Sequence, residues 1–88
     1  MNNREIIKMI MNEQGVSNST LAKRLDITQA TLWDRLDTTP RKGKPRKDIS
    51  VALFSEMLRA LDYKVVVVPE STRIRDGYVV GEIEDEPK

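Results

Sequence analysis

The sequence predicts a mainly α fold, in which four short helices are followed by a C-terminal β-hairpin. Up to about residue 62, apolar residues recur at the three-to-four spacing of a helix face. Capping residues and breaks that contain glycine or proline divide this stretch into four segments. The pattern then changes to a β-branched run at residues 65–68, which is typical of a strand. With 88 residues, we expect one compact domain, made of a helical part (1–62) and a C-terminal part (63–88).

The first helix is predicted over residues 3–14. Its apolar positions share one face of a helix, and they are Ile6, Ile7, Ile10 and Met11. Asn2 or Asn3 can cap its start. Gly15 stands where a helix commonly ends.

Two shorter helices are predicted to follow in close succession, up to about residue 25 and from about residue 29 to 36. Ser17 or Asn18 can cap the first, and Thr28 can cap the second. Asp26 stands where the chain must turn, because aspartate tolerates the left-handed conformation better than most residues. The apolar positions of this pair are Leu21, Ala22, Leu25, Ile27, Leu32 and Leu36.

A loop and a fourth helix complete the helical part. Residues 38–47 interrupt the helical spacing with two prolines and a glycine, which predicts a loop. The fourth helix is predicted to begin at Asp48 or Ser50 and to run to about Asp62. Its apolar face consists of Val51, Phe54, Met57, Leu58 and Leu61.

The predicted hairpin pairs residues 63–68 with residues 78–84, and an acidic tail extends over residues 82–86, beginning within the second strand. An isolated hairpin is marginal in water, and four valines in a row are apolar on both faces of a strand. Pairing with a second subunit would hide this edge, so we expect a homodimer. The dimer contacts would be Val65, Val66, Val67, Val68, Val79 and Val80. The alternative is a hairpin that only covers the helices of its own chain.

The composition argues against several classes of protein. The chain contains no cysteine and no histidine, so it lacks the usual zinc ligands and the commonest catalytic base. We therefore expect no metal, no cofactor and no enzymatic activity. The longest apolar run, residues 65–68, is far shorter than the ~20 residues of a membrane span, and we expect a cytoplasmic protein without a secretory signal.

The charge is distributed unevenly along the chain. Residues 1–47 contain ten Lys/Arg and five Asp/Glu, whereas residues 48–88 contain five and nine. A basic first half is typical of a surface that attracts polyanions. Half of these basic residues lie in the predicted loop, where we expect phosphate contacts; the alternative is a solvated linker. They are Arg41, Lys42, Lys44, Arg46 and Lys47.

Residues 18–36 meet the demands of a helix-turn-helix. Ala22 is small where the two helices would pass closely, Ile27 is aliphatic in the turn, and Leu32 is an apolar anchor. Short polar residues open the third helix, as they must where side chains reach base edges.

The stretch GVSNSTLAKRLDITQATL, residues 15–32, resembles the phage-repressor-like (Xre-type) helix-turn-helix family. The resemblance extends over about residues 3–61. It implies a four-helix repressor-like domain whose third helix enters the major groove of double-stranded DNA. It implies base-facing side chains at Gln29, Ala30, Thr31 and Asp34. Contacts to phosphate are expected at Asn18, Ser19, Thr28 and Arg35.

Side-chain chemistry supports part of this assignment. Glutamine can pair bidentately with adenine, and the methyl groups of Ala30 or Thr31 can meet a thymine methyl. The alternative for residues 29–31 and 18–19 is helix capping alone. Asp34 could accept from cytosine or hold a neighbouring basic side chain.

The sequence departs from this family at three positions, Asp26, Asp34 and Arg35, of which Asp34 places an acid on the side expected to face DNA. Asp26 replaces the glycine that is usual in the turn, and Arg35 lies where an apolar anchor is common. Leu36 is expected to take that anchoring role. For Trp33, packing under the basic loop or on the fourth helix is favoured over contact with DNA.

Together these features predict a sequence-specific DNA-binding transcriptional regulator, acting as a repressor that binds a palindromic operator as a homodimer. The alternative is an antitoxin or another protein-interaction module. Such a protein would use the hairpin or the acidic tail to bind a partner such as a toxin, and its DNA binding would be secondary.

Overall fold

Four helices form the described part of the protein. The structure is a computed structural model that describes residues 1–39, 42–44 and 47–80. The helices are α1 (Asn3–Gln14), α2 (Asn18–Leu25), α3 (Gln29–Leu36) and α4 (Val51–Arg59). Helix α1 packs against α3 and α4, and α2 packs against α3. The prediction of four helices is confirmed, with α1 and α3 spanning the residues expected.

Each helix begins after a polar residue whose side-chain oxygen accepts a backbone N–H of the first turn. The four capping residues are Asn2, Ser17, Thr28 and Ser50. At Asn2 the arrangement is reciprocal, because the Glu5 carboxylate also accepts the backbone N–H of Asn2 at 3.0 Å. These caps use donors that a helix leaves unpaired at its start, so the local sequence determines where the helices begin.

Three of the helical segments end in the same way, with one residue in the left-handed region. These residues are Gly15 (φ 68°), Asp26 (φ 59°) and Asp62 (φ 65°). In each case the next N–H reaches back five residues: Val16 to Met11, Ile27 to Ala22, and Tyr63 to Leu58, at 2.9, 3.0 and 2.9 Å. This is the Schellman arrangement. The residue that follows the left-handed residue packs against the core in all three cases.

The fourth helix is shorter than predicted. It ends at Arg59, whereas the sequence pattern suggested an end near Asp62. The reason is the Schellman turn: Asp62 adopts a positive φ, and the chain leaves the helix axis while Leu61 remains fully buried. The apolar spacing therefore continued beyond the last helical residue.

The core lies between the helices and contains the apolar faces that the spacing predicted, with one exception: Val51, in the first turn of α4, is 67% exposed. Its most completely buried side chains are Ile7, Ile10, Leu21, Leu32, Met57 and Leu61. Leu36 is buried and Arg35 is half-buried, so Leu36 anchors the end of α3 as expected.

A polar contact, here called the Arg4 latch, connects three parts of the chain through Asn3, Arg4 and Asp48. Arg4 is only 6% exposed. Its Nε donates to the carbonyl oxygen of Arg35 at 2.6 Å, and its Nη1 lies 3.8 Å from the Asp48 carboxylate. The backbone N–H of Asn3 donates to the same carboxylate at 2.7 Å. The latch thus joins the start of α1 to the end of α3 and to the segment before α4.

The predicted C-terminal hairpin is not formed in the part of the chain that the structure describes. Residues 63–80 contain no strand, so the first predicted strand, residues 63–68, is wrong for the single chain; residues 81–84 of the second strand lie outside the described residues. A two-stranded ribbon gains too little on its own to be stable. Instead, Tyr63 and Tyr78 pack against the core and against each other, with ring centroids 6.4 Å apart.

Within the described ranges, no helix has both the length and the apolar character that a membrane crossing requires.

Candidate nucleic-acid interface

Helices α2 and α3 pack closely on either side of a short turn. Leu21 and Leu32 are fully buried, and Ala22 is almost so. Asp26 supplies the left-handed turn residue, and Ile27 packs partly against the core. The small, aliphatic and apolar positions therefore occupy the places that a helix-turn-helix requires.

The outer face of α3 carries the side chains predicted to face bases. Gln29, Ala30, Thr31 and Asp34 are all exposed, while Leu32 and Leu36 are buried beneath them. An eight-residue helix with one side anchored and the other uncovered can be inserted into a groove.

Capping does account for part of the polar pattern at the start of α3. The Thr28 hydroxyl accepts the backbone N–H of Thr31 at 3.1 Å and donates to the Thr31 hydroxyl at 2.9 Å. Gln29 takes no part in this pair. Of residues 29–31, whose alternative role was capping alone, Gln29 and Ala30 thus remain as exposed side chains that the cap does not explain.

The start of α2 is capped by Ser17, through an N–H of Thr20 at 3.1 Å. Asn18 and Ser19 are therefore the first two helical residues, half-buried and exposed respectively. The N-terminus of a helix favours anions because its N–H groups and dipole point outward. The two predicted phosphate-facing side chains lie at this end.

An open cleft of about 560 Å³ lies beside α3 and the start of α2. It is lined by Lys8 from α1, by Ser17 and Asn18, and by Trp33, Thr38 and Thr39. Trp33 is 63% exposed, so the favoured prediction that it packs on the fourth helix or under the basic loop is wrong. Sequence reasoning missed Lys8, although its position on the polar face of α1 was a signal that it would be exposed.

The basic loop begins beside the end of α3. Lys42, Lys44 and Lys47 are exposed, and Arg41 and Arg46 lie outside the described residues. The Arg4 latch holds both ends of the loop, through the Arg35 carbonyl and the Asp48 carboxylate. Arg35 itself is half-buried, with Nη1 enclosed, so its guanidinium is less accessible than the three loop lysines.

One protein family matches this part of the chain. The family described as winged helix-turn-helix DNA-binding matches residues 2–38, which include α1, α2 and α3. No curated protein and no solved structure matches the chain. The match supports a helix-turn-helix without singling out the phage-repressor-like type. Helices α2 and α3 are arranged as a helix-turn-helix, and residues 2–38 are similar to the winged helix-turn-helix DNA-binding family over less than half of the chain.

Proposed function

We propose that the protein is a sequence-specific DNA-binding transcriptional regulator, acting as a repressor on a palindromic operator. It acts by binding and not by catalysis. The observation that carries the proposal is the uncovered outer face of α3, on which Gln29, Ala30 and Asp34 are exposed above a fully buried Leu32. Uniform backbone contacts cannot provide sequence preference, so these side chains are the ones expected to read bases.

Selection of preferred sites from random duplexes tests this proposal, with Gln29→Ala beside the wild type. We expect the wild type to enrich a palindrome and Gln29→Ala to lose discrimination at one position of each half-site, by about 1–3 kcal/mol. Asn12→Ala is the matched control, because Asn12 is also an exposed amide but lies on α1. Failure of the wild type to enrich any sequence would contradict sequence-specific binding.

We further propose that two copies associate through residues 65–68 and 79–80. Val67 is 97% exposed, and the remaining valines of both segments are also exposed. The packing of Tyr63 against Tyr78 holds the two segments at the same side of the core. Pairing across a two-fold axis would cover these side chains and supply the strand partner that the single chain lacks.

Sedimentation of Val66→Lys tests the dimer. Val66 is exposed in the single chain, so the lysine should leave the monomer folded and prevent association. We expect a wild-type dimer and a monomeric variant, while Ser71→Lys, which adds the same charge to the neighbouring exposed loop, remains dimeric. A monomeric wild type at micromolar concentration would refute the proposal.

The exposed valines also support the second candidate, a module that binds a different protein such as a toxin. The discriminating observation is what purifies with the chain. A stoichiometric partner that is lost from Val66→Lys favours the interaction module, and a pure two-fold dimer favours the regulator.

A further inference from the structure

Trp33 is a large aromatic side chain that the core does not use. It is 63% exposed, although burial of an aromatic side chain of this size would be among the largest apolar contributions to a small domain. Its position follows Gln29 by four residues, so the two lie on one side of α3. Trp33 therefore lies one helical turn after Gln29, the first residue predicted to contact a base.

The neighbours of Trp33 suit a sugar–phosphate chain. The Lys8 ammonium, the Asn18 amide and the Thr38 hydroxyl line the same open cleft and offer hydrogen-bond donors. Asp37 is the acid in the cleft, and its Oδ1 accepts the backbone N–H of Thr39 at 2.9 Å. An apolar ring beside such donors matches a deoxyribose next to its phosphate.

The charge of the surrounding chain favours DNA over a protein as the occupant. Residues 1–47, which contain every residue of the cleft, carry ten Lys/Arg against five Asp/Glu. The acidic excess lies in residues 48–88. A polyanion is therefore the partner whose charge complements the part of the chain that lines the cleft.

We propose that Trp33 binds the DNA backbone at the edge of the groove that α3 enters. The indole ring packs on a deoxyribose, and the indole N–H and the Asn18 amide donate to the adjoining phosphate. This assignment rests on the proposed function and extends it, because it adds an aromatic contact that increases affinity for every duplex without reading sequence.

The test uses the fact that Trp33 is the only tryptophan of the chain, so that intrinsic fluorescence reports this side chain alone. Binding is followed independently by the anisotropy of a labelled duplex. We expect the tryptophan emission to change, and its quenching by acrylamide to fall, at the DNA concentrations at which anisotropy saturates. A normal anisotropy curve with unchanged, still quenchable Trp33 would overturn this inference and leave the DNA-binding function intact. No anisotropy change would overturn both.

Variants separate a backbone contact from a base contact. We expect Trp33→Ala to weaken binding about tenfold on every duplex, with the order of preferred sites unchanged. Met9→Ala is the control, because Met9 is also an exposed apolar side chain but lies on α1, outside the cleft, and it should bind as the wild type does. A changed site preference in Trp33→Ala would assign Trp33 to a base. Tryptophan emission that depends on protein concentration in the absence of DNA would assign Trp33 to a protein interface. Either of these two results would overturn the proposal.

Discussion

Among single residues, the left-handed positions that follow α2 and α4 are occupied by aspartate, whereas α1 ends in glycine. Asp26 and Asp62 have φ values of 59° and 65°, close to the 68° of Gly15. An L-residue with a Cβ is strained there, and aspartate is among the few that accept the strain. Asp26 therefore adopts the conformation that the turn between α2 and α3 requires, but its strain lowers the stability of the fold.

Asp26→Gly and Asp62→Gly should each stabilise the protein. Removing the left-handed strain stabilises the folded chain, and the added glycine stabilises the unfolded chain by a smaller amount through its conformational freedom. The free energy of unfolding should therefore increase by roughly 0.5–1 kcal/mol. Urea denaturation measures the change. Lys23→Gly is the control, since it lies inside α2 and should lose about 1 kcal/mol. Destabilisation by Asp26→Gly would mean that its side chain has a role beyond the turn.

The fold alters the titration of the Tyr78 hydroxyl. A hydrogen bond to Glu13, partial burial and the negative charge of Glu13 raise the pKa of Tyr78 from 10.0 to about 12. The folded chain thus holds this proton more tightly than the unfolded chain does. The resulting stability is present below pH 10 and is lost as the pH rises towards 12.

Tyrosinate absorbance in a Tyr63→Phe background isolates Tyr78, because the chain has two tyrosines. We expect a midpoint near 12 and a return towards 10 when Glu13→Ala is added. An unchanged midpoint after the loss of Glu13 would contradict the contact between α1 and the C-terminal segment.

At the scale of the elements, two matched caps allow the binding role of α3 to be separated from its stability. Thr28 caps α3 and Ser50 caps α4, and each side chain accepts an N–H at 3.1 Å. Only Thr28 lies beside the predicted DNA-facing side chains.

We expect Thr28→Ala and Ser50→Ala each to lower the free energy of unfolding by about 1 kcal/mol. Thr28→Ala should also weaken DNA binding, because it removes a predicted phosphate contact and the cap that orders the first turn of α3. Chemical denaturation and anisotropy measure the two effects. An equal loss of affinity in Ser50→Ala would show that binding follows overall stability and not the start of α3.

The sequence predicted the helices well because their signals are local. Caps at Ser17 and Thr28 and the turn at Asp26 depend on neighbours within a few residues. The Arg4 latch could not be predicted, since its hydrogen bond spans 31 residues and buries a charged side chain without a local pattern. The exposure of Trp33 was missed for a related reason. An aromatic residue next to apolar positions in the sequence resembles a packed residue, and its exposure depends on how α3 packs against the other helices. The β-branched run at residues 65–68 has the composition of a strand, but no partner strand forms within the described part of the chain.

For the whole molecule, the uneven charge is the property expected to govern long-range attraction to DNA under the proposed function. The exposed lysines of the basic loop, Lys42, Lys44 and Lys47, follow α3 directly. The Arg4 latch fixes the two ends of their loop relative to that helix. We therefore expect these lysines to contact phosphates near the groove that α3 would occupy.

Replacing these three lysines by alanine should reduce the salt dependence of DNA binding. Each lost phosphate contact lowers the slope of log affinity against log salt concentration by about 0.9, so the triple variant should lose up to about 3 units of slope.

The control replaces three exposed basic residues of the acidic half, Lys64, Arg73 and Arg75, and removes the same net charge. We expect its slope to match the wild type, because these residues lie in the C-terminal part of the chain and do not follow α3 directly. Equal slopes in both triple variants and the wild type would show that the loop is a solvated linker. Equal reductions in both variants would show that net charge acts without local contacts. A reduction only in the loop variant places the loop on the DNA backbone.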